Sequence, residues 1–117
     1  MFGNGLSSSP SNTPSPFSGP DFPAVTIYDN VRAQHALVTE ELGISNLKLV
    51  TGFSMGGLQT YHWAAVYPDM VDNLVPICSA AKCSGYNWLF LDSLAAGLEA
   101  DAVFDHGRFT EYPERPG

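Results

Sequence analysis

The chain has 117 residues, 44 % of them hydrophobic and 15 % charged, with a net charge of −7 and five basic residues, Arg32, Lys48, Lys82, Arg108 and Arg115. Basic residues so few and so scattered exclude the electrostatic footprint of a nucleic-acid or anionic-membrane binder. No basic stretch leads into an apolar core at the N-terminus and no apolar run reaches membrane-spanning length, so the expectation is a soluble, cytoplasmic protein.

In chain order, positions 7–23 hold six serines and five prolines. That composition suits a linker, but Phe17 and Phe22 punctuate it and Gly3-Asn4-Gly5 precedes it, so the spacing predicts an ordered loop over 1–25 anchored by aromatics. Thr26-Ile27-Tyr28-Asp29 reads as a capping box, and Ile27, Val31, Val38 and Leu42 follow at helical spacing until Gly43. His35 lies inside this helix as a packing or surface residue. A strand is expected over Leu47 to Thr51 and a largely buried helix over Met55 to Tyr67, built on Leu58, Tyr61, Trp63, Ala64, Ala65 and Val66. A second strand is expected over Asn73 to Cys78, weakened by Pro76, which cannot donate to a ladder. Helical spacing returns from Tyr86 to about Val103, and 104–117 reads as an irregular tail. Cys78 and Cys83, with no histidine nearby to complete a metal site, are expected to be reduced thiols packed as small apolar groups.

The chemistry concentrates between the first strand and the second helix, at Gly52-Phe53-Ser54-Met55-Gly56-Gly57. A serine hydroxyl is a weak nucleophile and must be held where a base can take its proton. A sharp strand-to-helix turn does this, with glycines at the flanking positions, here Gly52 and Gly56, relieving the crowding. The Met55 N–H falls in the first turn of the helix, where amides lack internal acceptors and the dipole is positive, so it is a candidate oxyanion donor. A chain of this composition would contain G-x-S-x-G by chance roughly one time in ten, so the flanking strand and helix carry the assignment of Ser54 as nucleophile. His62 lies eight residues past Ser54, about 12 Å along a helix axis, too far to serve as its base. Asp101 or Asp105 with His106 satisfy the order Ser…Asp…His, but no strands separate them from the turn in the way such a site requires.

Strand, helix, strand, helix in this order describes βαβ units of a parallel sheet, and two or three strands are too few for a sheet buried on both faces. The expected fold class is therefore α/β and partial.

The run Phe2-Gly3-Asn4-Gly5-Leu6 with Ser7 to Asn12, then Val25-Thr26-Ile27, Asp29 to Gln34, Gly52 to Gly57, Gln59, Val75 to Cys78, Ala80-Ala81-Lys82 and Leu98 to Asp101 resembles the homoserine O-acetyltransferase-like family of α/β-hydrolases. The resemblance implies one partial domain over 1–117: the loop of 1–25, a core segment over 26–103, and the start of a lid or tail over 104–117. It implies that Ser54 takes an acyl group from a donor such as acetyl-CoA or an ester and passes it to an alcohol or water, with no bound cofactor. It also implies that the Asp and His of the triad come later in the chain than this segment, so that the isolated chain has an incomplete site. A carboxylesterase, or a catalytically inactive truncated product, are the alternatives; the acceptor and the oligomeric state stay open.

Overall fold

The computed structural model describes residues 2–109, so the part of the expected tail over 110–117 lies outside the described residues. Contacts divide the chain into two units, one of residues 24–82 and one of the residues up to Pro23 together with those from Cys83 onward.

In the first unit, helix α1 spans Ile27–Ala36. Its capping box forms: the Asp29 N–H donates to Thr26 Oγ1 at 3.2 Å, and the Thr26 N–H donates to the Asp29 carboxylate at 2.9 Å. The continuous helix expected as far as Leu42 instead widens into a π turn at Leu37–Glu41. There the Thr39 hydroxyl donates to the His35 carbonyl at 2.9 Å, competing for the helical acceptor. Gly43, at φ 63°, then turns the chain so that the Ile44 N–H reaches Val38 O.

Strand β1 is Val50–Phe53, later than the expected Leu47 to Thr51; Leu47 makes an isolated parallel bridge to Val71 instead. Helix α2 follows at Met55–Val66 and strand β2 at Leu74–Ile77. The two strands pair in parallel, Val50 opposite Leu74 through Phe53 opposite Ile77, with α2 as the crossover. The architecture is the expected βαβ unit with helices on the sheet. Bonds from Val50 N to Asn73 O and Ser54 N to Ile77 O turn the odd-numbered residues of β2 toward β1. Pro76 therefore faces its missing N–H away from β1, which is why the strand tolerates it.

The core is Val31, Trp63 and Met70, with Val38, Leu47, Val50, Tyr67 and Val71 packed around it. Helix α2 buries Gly57, Gln59, Thr60 and Trp63. Leu58, Tyr61, Ala64 and Val66 are half-buried and Ala65 is exposed, so the buried stripe is narrower and more polar than expected. Its polar members are bonded. Gln34 Nε2 donates to Gln59 Oε1, and Trp63 Nε1 donates to Gln34 Oε1 at 2.9 Å, tying α1 to α2. His35 stacks on Tyr67 at 3.8 Å between ring centroids.

In the second unit the serine- and proline-rich stretch is braced by Asn12, and Phe22 is half-buried. Asn12 Oδ1 accepts from the Ser9 N–H and its Nδ2 donates to Ser7 O, each at 2.8 Å, while Phe17 is exposed. Helix α3, Gly85–Glu99, is capped by Ser84 and ends before the expected Val103. Asp101 stops it by accepting from the Val103 N–H at 2.8 Å. No residue of α3 is buried; Tyr86, Trp88, Leu91 and Leu94 all lie exposed. Among the described residues no helix is long and apolar enough to cross a membrane.

Candidate active site

Ser54 sits between β1 and α2 at φ 52°, ψ −114°. A non-glycine residue pays for such a backbone, and it persists only where its surroundings over-determine it. Both sides of Ser54 are held. Its N–H donates to Ile77 O at 2.9 Å, continuing the ladder to β2, and its carbonyl accepts from Gly57 N at 2.9 Å and Leu58 N at 3.2 Å, opening the helix. The side chain makes no cap bond to that helix and is exposed. Met55 is the first residue of α2, so its N–H has no intrahelical acceptor and lies at the positive end of the helix dipole.

The crowding at this turn is distributed differently from the expectation. A Cβ on Gly52 would lie 2.8 Å from Gly56 Cα and closer still to the Gly56 carbonyl group. On Gly56 a Cβ would meet open space, whereas on Gly57 it would press on Ser79, 2.8 Å from its Oγ. The positions that require glycine for want of room are thus Gly52 and Gly57, and Gly56 is the backbone that Gly52 must clear.

Ser54, Met55 and the three glycines form one turn. The two histidines of the same unit are engaged elsewhere: His35 on Tyr67, and His62 through Nδ1, which donates to Leu58 O at 3.1 Å. Asp101, Asp105 and His106 belong to the second unit, where Asp105–Gly107 form a short 3-10 turn with Asp105 and His106 both at positive φ. The carboxylates with displaced titration are also committed. The Thr26 hydroxyl and N–H hold Asp29 below the usual carboxylate range, and hydrogen bonds from Lys48, at 2.6 Å, and Asn46 do the same for Asp72.

Two features at this junction have no sequence signal. Cys78 ends β2 at φ 50°, one step beyond Ile77, as Ser54 ends β1 one step beyond Phe53. Ser79 follows it against Gly57. Both cysteines are free thiols, and both are exposed rather than packed as small apolar groups.

Comparison with known proteins bears on this geometry. The model of the alpha/beta hydrolase fold matches residues 1–108. The chain is 47 % identical over 109 residues to an ethyl acetate hydrolase of Pseudomonas veronii, covering 93 % of this chain and 31 % of that protein. It is 41 % identical over 110 residues to a homoserine O-succinyltransferase of Acinetobacter baylyi, covering 94 % of this chain and 28 % of that one. The solved structure of the acetyl esterase MekB superimposes with a TM-score of 0.91 at 45 % identity, over 95 % of this chain and 32 % of the other. The chain spans about a third of the length of the curated relatives it matches. The likeness to homoserine acyltransferases therefore holds beside a likeness to esterases at somewhat higher identity. A match that runs from the N-terminal loop past α3, on a parallel strand–turn–helix already in place, decides the family: this chain belongs to the alpha/beta hydrolase fold family.

Proposed function

We propose that Ser54 is the nucleophile of an acyl-transfer reaction that proceeds through an acyl-enzyme. The observation that carries this is the backbone of Ser54, a left-handed serine exposed at the end of a parallel strand and pinned between ladder and helix. In the reaction Ser54 Oγ attacks the carbonyl carbon of an acyl donor, and its proton leaves through a base to the departing oxygen or sulfur. The tetrahedral oxyanion accepts a hydrogen bond from the Met55 N–H, a contact worth about 2.7–4 kcal/mol where single donors have been removed from such sites. Collapse breaks the bond to the leaving group and leaves the acyl group on Ser54. A second nucleophile then releases it by the same steps in reverse.

The donor is a short acyl ester or a thioester such as acetyl-CoA. The acceptor is an alcohol such as homoserine, or water, a choice the family resemblance leaves open. The homoserine O-succinyltransferase relative supports the first, and the ethyl acetate hydrolase and acetyl esterase support the second about as well. The triad's Asp and His, by the family resemblance, come from outside the turn described. A cytoplasmic setting belongs to the same proposal and is in keeping with two free thiols.

Labelling the chain with a fluorophosphonate, beside Ser54→Ala, tests the proposal. Label that disappears in the variant supports Ser54 as the nucleophile, and label that persists refutes it. No labelling of either favours a catalytically inactive product. Ethyl acetate hydrolysis measured with and without homoserine then separates water from alcohol as acceptor.

A further inference from the structure

The turn that ends β2 carries a second unusual backbone, the left-handed Cys78, and directly after it Ser79 lies against the first turn of α2. The fit leaves no slack: a Cβ on Gly57 would overlap Ser79 on one side and lie 3.2 Å from Gly52 O on the other. Ser79 Oγ is buried and has no hydrogen-bond partner among the described residues. A hydroxyl with no partner contributes no bond that would account for the side chain's place; what it contributes is a small, definite volume.

We propose that Ser79 is a positioning residue for the Ser54 turn: a spacer whose size sets how closely the first turn of α2, and with it the Met55 N–H, approaches the C-terminal ends of β1 and β2. The catalytic meaning of that placement rests on Ser54 and Met55 having the roles proposed above. Gly57 cannot yield to a larger residue at 79, because it has no side chain to rotate and its backbone is held by its bond to Ser54 O. The far half of α2 is anchored independently through Trp63, packed with Val31 and Met70. A larger residue at 79 therefore lifts the first turn of α2 and leaves its far end in place.

Amide hydrogen exchange on the full chain reads this directly, because the Gly57 and Leu58 N–H groups both bond Ser54 O while the Tyr67 N–H bonds Trp63 O. Ser79→Val is expected to speed exchange at Gly57 and Leu58 about tenfold or more, with Tyr67 changed by less than about twofold. Ser79→Ala is expected to leave all three amides as they are. Ser79→Thr, which also adds a methyl but keeps the hydroxyl, is expected to act as Ser79→Val does, and decides the matter if that variant does not fold. Unchanged exchange at Gly57 and Leu58 in the enlarged variants overturns the proposal. So does acceleration along the whole of α2, which would make Ser79 an ordinary packing residue, and so does an effect of Ser79→Ala equal to that of Ser79→Val, which would put the hydroxyl rather than the volume in charge. Exchange needs no turnover, so it stands apart from the fluorophosphonate test of Ser54 itself.

Discussion

Gly52→Ala and Gly56→Ala each add one methyl group to the same turn, yet the geometry gives them opposite signs. At Gly52 the new Cβ would sit 2.8 Å from Gly56 Cα and nearer still to the Gly56 carbonyl, all of it backbone that no rotamer change can clear. Carbons in contact rest about 3.5–4.0 Å apart, so the first turn of α2 must retreat by about an ångström. Overpacking costs about 1–3 kcal/mol, and with only backbone to move the expected cost is about 2–3 kcal/mol. At Gly56 the methyl enters open space inside a helix, where alanine gains about 0.5–1 kcal/mol over glycine. The two variants should thus differ by about 3 kcal/mol, roughly a hundredfold in the unfolding equilibrium. Urea unfolding followed by Trp63 fluorescence measures it, since Trp63 is 3 % exposed. A Trp88→Phe background removes the signal of the exposed Trp88. Comparable m-values would show that the variants share one denatured state. Gly52→Ala within about 0.5 kcal/mol of the parent, or Gly56→Ala as damaging as Gly52→Ala, would refute the steric argument.

Gln34→Leu strands the Trp63 indole N–H in the core, at a cost of about 1–3 kcal/mol. Adding Trp63→Phe should then cost less than it does alone, and strictly additive losses would show that the bond is not what joins α1 to α2. Thr26→Ala removes the hydroxyl half of the α1 cap, leaving the Thr26 N–H bond to Asp29, and should raise exchange at the Asp29 and Asn30 amides about fivefold, as read by NMR. The same cap makes α1 acid-sensitive in a definite direction. Asp29 titrates lower in the fold than in the unfolded chain, so its contribution is fully present above about pH 4 and is lost as pH falls through the lowered folded value. In Thr26→Ala that acid dependence should flatten, and an unchanged acid profile would sink the assignment.

How much of this was legible beforehand follows from the range of the forces involved. The Thr26 capping box, the α1 start, the α2 stop before Pro68 and the strand-to-helix corner at Ser54 are local; each is written in a few neighbouring residues, and each formed near its expected place. The misplacements have non-local or competing causes. Thr39 pulls the end of α1 into a π turn by bonding a carbonyl one turn back. β1 runs to Phe53 because the parallel register against β2 carries it there. Asn12 braces a loop for which only aromatics were expected as anchors, because one amide side chain reaches three backbone groups of the same loop, the Ser9 N–H and the Gly5 and Ser7 carbonyls.

The sequence by itself determined the α/β class, the order of the elements and the place of Ser54, since period, caps and a glycine-flanked serine are properties of consecutive residues. Only the tertiary structure decided which glycines the turn requires. That depends on what stands across from each: Gly52 faces the backbone of Gly56, Gly57 faces Ser79 from the end of β2, and Gly56 faces nothing. No spacing rule along the chain contains that information, because the crowding partner of Gly57 lies beyond a whole helix and strand and reaches it only once β1 and β2 have paired.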